Sequence, residues 1–404
     1  MSVQPLYTLC EDRAVANHSN LRNTLSLDSL NFFLADVRDG LGPYLAIYLL
    51  AVHQWDPASI GVVMTLAGIA ALVTQGPAGA LIDRTRSKRA VIAAAAILVT
   101  VSCLMLPFVS AFSWVALTQA ASAVAASVFA PAISAISLGI TGPRAFTRRT
   151  GRNETFNHAG NAVAALLAGG LAYLYGPVVV FYLMAFMALA SIVAVSCVSA
   201  KAIDHEVARG FDPAYHSDHE QPSGVKVLLA NRPLLIFAIC CALFHLANAA
   251  MLPLVSQKLA QINLQMATPL TSACIVAAQL VMVPMAWLVG FKADVWGRKP
   301  LLLAGFLILP LRGVLYTLSS DPYWLVAVQM LDGIGAGIFD ALSTVFGLGA
   351  ALSSSLAGFV VQQAGYNAAF LTLAGVAAVA LALLWLAMPE TLEKPSFACH
   401  TTVA

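Results

Sequence analysis

Charge is the scarce ingredient of this chain. Of its 404 residues only 10% are Asp, Glu, Lys or Arg, while 60% are hydrophobic. Soluble domains carry about 25% charged residues, so the composition excludes a water-facing globule and indicates an all-α polytopic membrane protein. Cysteine is sparse as well. Seven residues, at positions 10, 103, 197, 240, 241, 274 and 399, show neither disulfide-framework nor metal-ligand spacing. Inside apolar runs such cysteines behave as small hydrophobes. No P-loop, catalytic triad or metalloenzyme motif is present, which argues against an enzyme or an ATP-driven pump. Residues 1–26 are polar, carry both charge signs and lack an apolar core, so no cleaved signal peptide is expected. A net charge of +2 gives no reason to expect a nucleic-acid partner.

What is abundant is apolar sequence in lengths that cross a bilayer, about 20 residues each. Runs cover roughly 29–51, 57–81, 90–110, 113–140, 157–176 and 178–199. A polar segment, 200–232, separates them from runs near 233–255, 268–290 and 300–318, a long stretch from Tyr323 to Val361, and a last run at 367–388. The expected organisation is an arm (1–28), a six-helix half (29–199), a linker (200–232), a second helical half (233–388) and a tail (389–404). Of 21 Lys and Arg residues, 18 fall in the arm, the alternate loops, the linker or the tail. Those parts are expected to be cytoplasmic, with both termini inside. Lys258 is assigned to an opposite-side loop, and Arg38 and Arg312 lie within helices.

The chain also repeats itself. "GALIDRTRSKR" (Gly79–Arg89) and "GFKADVWGRKP" (Gly290–Pro300) share Gly-x-x-x-Asp-x-x-x-x-Lys, with Asp83 and Asp294 separated by 211 positions. Gln119 matches Gln329 and Phe129 matches Phe339 at 210, and Asp36 falls opposite Asn248 at 212. Two such halves resemble the major facilitator superfamily from about residue 25 to 390. Its motif A is matched by Gly79, Leu81, Asp83, Arg84, Lys88 and Arg89, with Arg86 where the family has its second Gly. The second copy keeps Gly290, Asp294, Gly297, Arg298 and Lys299. The resemblance implies a parallel-repeat transporter working by alternating access. It further implies that Gly79 permits close helix approach, and that Asp83 locks the halves together against the start of helix eleven. The antiporter subfamily's motif C survives only as Gly169 and Gly170, and the Arg of motif B falls at Ala116.

The halves are unequal. Leu167, Ala168, Gly169, Gly176 and Phe181 match Leu356, Ala357, Gly358, Gly365 and Phe370 at an offset of 189, so 21 residues are absent from the second half. The missing part corresponds to the basic loop Gly142–Arg152 and its adjoining helix ends. As one helix, Tyr323–Val361 would be about 58 Å long, against an apolar core of about 30 Å. It must bend, at Gly347 or Gly349.

Intramembrane charge marks the candidate functional residues. Asp36 and Asp39 share a face of helix one, beside Arg38, and suit either proton coupling or a fixed ion bridge. Arg312 and Asp332 fall at similar depth, as an ion pair or as an anion-binding arginine with its counter-charge. His245 and Asn248 stand one turn apart in helix seven, as cavity-lining or packing residues. Tyr44, Tyr48 and Trp287 are candidate cavity aromatics, although such residues are usually lipid-facing or interfacial. Arg152 and Glu154 are expected at the mouth of helix five. "HSDHE" (His216–Glu220), after His205 and Glu206, is read as solvated linker rather than a metal site.

The expected function is proton-coupled efflux of a small organic solute across a bacterial inner membrane, by a monomer needing no cofactor beyond the proton gradient. Two alternatives stay open. One is transport of an organic anion, a metal or a metal chelate; the other is a non-transporting or impaired variant lacking the helix ten–eleven loop. The Ala-rich composition and the resemblance are what suggest a bacterial source.

Overall fold

A computed structural model describes residues 21–35, 37, 41–210, 231–342 and 348–388. Among them are eight apolar stretches long enough to cross a membrane, and two of these are double passes broken at a glycine. Phe129–Tyr175 breaks at Gly142 (φ 72°), immediately before Pro143. Proline disfavours helical geometry in the residue before it, and glycine takes positive φ without strain. Leu348–Ala387 breaks likewise at Gly365 (φ 83°, ψ 173°). Gly176, which the sequence repeat pairs with Gly365, turns the chain with nearly the same angles (φ 85°, ψ 171°).

With those breaks, and with the first and tenth helices added, the described residues trace twelve passes. We number them α1 (21–51, described in two parts), α2 (Pro57–Arg84), α3 (Lys88–Met105), α4 (112–141), α5 (143–175) and α6 (Val179–Cys197). The second set is α7 (232–262), α8 (Leu264–Trp296), α9 (Arg298–Leu318), α10 (Pro322–Leu342), α11 (348–364) and α12 (366–387). Each set has its own core. One runs from Leu27 to Ala208 and is built on Phe129 and Phe181; the other runs from Cys240 to Leu384 around Phe306, Tyr316 and Phe370. Asp56 caps α2, accepting from the Ser59 amide at 2.9 Å and its hydroxyl at 2.6 Å. Those bonds hold the Asp56 carboxyl below its ordinary range.

Three boundaries differ from the sequence reading. Helix α1 already runs at residue 21, so the last part of the expected arm is bundle, with Asn23 and Asp28 buried. Helix α7 steps across Ala249–Ala250 and continues as Met251–Ile262, where a loop was expected. Lys258 is therefore a buried helical residue. Its ammonium donates to the Tyr316 carbonyl at 3.1 Å and lies 5.8 Å from the Phe370 ring centre. That carbonyl belongs to the last turn of α9, where the helix has no amide of its own to offer. Of the two expected bend positions, Gly347 lies outside the described residues, while Gly349 is helical and packs on the Ala242 carbonyl of α7.

The described contacts between the halves run from one end to about mid-depth. We call the end bearing Asp83 and Gly297 the basic end, and the other the far end. A Cβ on Gly61 of α2 would lie 2.3 Å from the Ser354 carbonyl of α11, and one on Gly358 would lie 2.3 Å from the Pro57 carbonyl. On the other flank, a Cβ on Gly169 of α5 would lie 2.8 Å from Ser272 of α8. Tyr44 and Ser272 share a 2.9 Å hydrogen bond across the same boundary, and Ile47 packs with Ala260 and Ala267. At the basic end, Gly79 has open space where a Cβ would go, as does Gly76. Among the described residues, the close approach anticipated at Gly79 is made by the same helix three turns away at Gly68, where a Cβ would lie 2.9 Å from Ala351, and five turns away at Gly61.

Overpacking costs typically about 1–3 kcal/mol. Gly358→Val should therefore wedge the halves apart, speeding thiol labelling of a cysteine placed at Thr65 by about tenfold, the effect of about 1.4 kcal/mol. Gly79→Ala should leave the labelling rate unchanged.

Candidate functional site

The second half buries a polar chain that spans three helices. Arg312 of α9 is 1% exposed. Its Nη1 donates to the Asp332 carboxylate of α10 in a short ion pair. Nη2 donates to Asn248 Oδ1 of α7 at 2.5 Å, and Nη2 and Nε approach the Met251 sulfur at 3.0 and 3.3 Å. Gln329 Nε2 donates to the second Asp332 oxygen at 2.9 Å, and the Tyr316 hydroxyl donates to Gln329 Oε1. Arg312 lies about 21 Å along its helix from Arg298, and Asp332 about 15 Å along its own from Pro322. Both depths are near the middle of a core about 30 Å thick.

The two partners are not equally accessible. The Arg312 side chain is 2% exposed and that of Asp332 is 22% exposed. A solute anion would have to displace Asp332 before it could reach the guanidinium. Asp332 is the more exposed partner, and Arg312 braces α7, α9 and α10.

His245, one turn before Asn248, is buried and stands edge-on to Phe244 at 5.8 Å. Tyr44 and Tyr48 are also buried, contrary to the lipid-facing expectation: Tyr44 bonds Ser272, and Tyr48 packs edge-on against Phe181 and His53. Asp36, Arg38 and Asp39 lie outside the described residues, as does His216–Glu220, and the Trp287 side chain is not described.

A second buried cluster escaped the sequence reading. Asp28 of α1, 2% exposed, accepts from Arg149 Nη2 at 2.7 Å and from Arg152 Nη2 at 2.5 Å. Arg149 Nε donates to Asn153 Oδ1 at 2.8 Å. Asn153 receives Asn31 at 3.0 Å and donates to the Ser137 hydroxyl at 2.9 Å, so α1, α4 and α5 are tied together. Helix α5 is 33 residues, about 50 Å, long and overshoots the apolar core at the basic end. The available signal was Asp28 beside the Arg149–Arg152–Asn153 run. It was hidden by placing the start of helix one at residue 29. Glu154 is exposed.

Among the described residues, the motif A cations Lys88, Arg89 and Lys299 donate to carbonyls at helix ends. Lys88, fully buried, donates to the carbonyls of Ile82 and Thr85, both at 2.8 Å. Arg209 reaches the Asp83 and Arg84 carbonyls at 2.7 and 3.4 Å. Arg89 donates to the Val198 carbonyl beyond α6, and Lys299 donates to the Trp385 carbonyl in α12 at 3.0 Å. The sequence frame aligns Lys88 with Lys299, yet Arg89 is the residue that plays the matching role. Asp83 and Arg84 side chains are exposed. Gly297 turns the chain at φ 89°, whereas Arg86 occupies its counterpart in a turn without positive φ. The side chains of Asp294 and Arg298 are not described, and Gly290 lies within α8.

Two helical halves with separate cores, joined by a polar segment and burying charge at mid-depth, define a two-domain membrane transporter. The Major Facilitator Superfamily model matches residues 27–344, and the chain belongs to that family. It is 53% identical over 391 residues to MFS-type transporters of Mycobacterium tuberculosis strains CDC 1551 and H37Rv, covering 91% of this chain and 94% of each relative. Its fold resembles crystal structures of the nucleoside transporter NupG. One, of a point mutant, has TM-score 0.70 and covers 90% of this chain and 98% of that one; the other has 0.65, with 91% and 98%, both at 17% identity. At that identity the likeness concerns the fold alone. The chain is a multi-pass membrane transporter and not an enzyme.

Removing one partner of a buried pair costs about 3–5 kcal/mol. Asp332→Asn and Asp28→Asn should each lower the melting temperature in detergent markedly. Arg312→Met combined with Asp332→Asn should recover most of the first loss. A double variant no more stable than Asp332→Asn alone would show that the brace contributes more than charge balance.

Proposed function

We propose that this chain exports a small organic solute in exchange for protons, by alternating access across a bacterial inner membrane with both termini in the cytoplasm. The observation that carries this reading is a half-buried carboxylate, Asp332, at mid-depth, paired with a buried arginine that ties three helices together. Protonating Asp332 weakens its hold on Arg312 and loosens three helices together. That couples proton binding to the shape of the second half. In the first half, the three-residue spacing of Asp36 and Asp39 offers a carboxylate pair for the same role. Asp36 remains the candidate coupling group of the first half, with Asp332 its counterpart in the second.

A second reading is transport of an organic anion or a metal chelate. It is favoured by two buried cations, Arg312 and Lys258, beside one carboxylate, Asp332, in the described core of the second half. Against an impaired variant stands the shortened segment itself: α11 is helical, packs on α7 through Gly349 and meets α2 through Gly61 and Gly358. The monomer and the absence of any cofactor beyond the proton gradient belong to the same proposal.

The test uses everted vesicles energised to hold a pH gradient and challenged with a panel of drugs, organic acids and metal chelates. A transported solute should collapse the gradient only where the protein is present. Asp36→Asn should abolish that collapse while keeping equilibrium binding, and Asp39→Asn should only move the pH optimum. Solute flux that ignores the gradient would sink proton coupling, and flux confined to anions would favour the second reading.

A further inference from the structure

Near mid-depth, one side-chain contact joins the two halves among the described residues. His158 Nδ1 of α5 and Gln279 Oε1 of α8 are 2.9 Å apart. Both side chains are half-buried. The other side-chain pair bonded across the halves in the described residues, Tyr44 with Ser272, lies close to the far end, with Ser272 about 12 Å along α8 from Leu264. Gln279 is about 22 Å along the same helix, and His158 about 25 Å along α5 from Tyr175. The pair therefore lies about 10 Å deeper along α8 from the far end than the Tyr44–Ser272 bond.

On one side the pair stands close to the described part of α1, and on the other close to the turn of α10 that carries Asp332. A Cβ on Gly160, two residues after His158, would lie 2.1 Å from the Phe32 carbonyl and 3.0 Å from the Ala35 side chain. His158 is thus level with α1 just before Asp36. Across the seam, the Ala278 carbonyl lies 2.3 Å from where a Cβ on Gly333 would be, next to Asp332. Gln279 is set on the segment of α8 that packs against the α10 turn carrying the ion pair.

We propose that His158 and Gln279 form a central latch, a hydrogen bond between the halves that must break before the far end can open. The inference rests on the alternating-access reading above and adds the contact that times it. Both are positioning residues: they hold α5 against α8, and α8 against α10, and neither is assigned to the solute. A single net hydrogen bond is worth about 1 kcal/mol, so losing it should change a two-state population by about fivefold.

The experiment places nitroxide labels at Val52→Cys and Gln261→Cys, exposed positions on opposite halves at the far end, in a background without native cysteines. Distances are measured by pulsed electron resonance in nanodiscs with no solute added. His158→Ala and Gln279→Ala should each raise the long-distance population about fivefold. The double variant should shift no further than either single one, because each removes the same bond. His158→Asn, which keeps a hydrogen-bonding group, should stay nearer the parent. Unchanged distributions in both single variants would overturn the latch, as would additive shifts in the double one. Failure of alternating access looks different: the parent itself would keep one distance at every pH and carry no flux in vesicles.

Discussion

Lipid offers a buried charge no water, and the polar architecture of this bundle is arranged around that constraint. Arg312 is surrounded by one carboxylate, one amide and one sulfur. Asp28 lies between two guanidinium groups. Lys258, Lys88, Arg89 and Lys299 meet the same demand differently, by donating to carbonyls near helix C-termini. Each of these cations satisfies an acceptor that the neighbouring helix leaves open, so the charge and the helix end stabilise one another.

The same constraint divides labour between the halves. The buried ion pairs lie within a half, Asp28 with Arg149 and Arg312 with Asp332. Among the described residues the ties between halves are neutral: close approach at Gly61, Gly68 and Gly358, and the bonds Tyr44–Ser272, Ser355–Thr65, Ser355–Gly61 and His158–Gln279. Strong bonds inside rigid bodies and weak ones between them are what a protein needs if it is to exchange two arrangements of the same halves. The unequal lengths of the halves fit this scheme. Loss of 21 residues leaves α11 with 17 residues against the 33 of α5, but the shorter helix keeps the glycine faces that contact both partners.

The repeat illustrates how far one-dimensional reasoning reaches. Gly176 and Gly365, matched only by spacing, adopt nearly identical left-handed turns, because that conformation is open to glycine and closed to most other residues. Lys88 and Lys299, matched by the same reasoning, cap different helices, because a long flexible side chain takes whichever carbonyl lies in reach. Backbone requirements are written locally. Side-chain partners depend on which helix is next door.

The sequence by itself determined the class of molecule, since apolar length and the placement of Lys and Arg follow directly from the thickness and polarity of a bilayer. It also placed Arg312 and Asp332 at matching depth, because helical rise converts position into distance along the membrane normal. Tertiary structure alone decided that Asn248 completes that pair, that Asp28 belongs to the bundle, and that Lys258 is inside a helix. It alone decided that the halves touch through Gly61 rather than Gly79. Those outcomes depend on helix rotation and on contacts 60 to more than 290 residues apart, and hydropathy averaged along a chain carries no record of either.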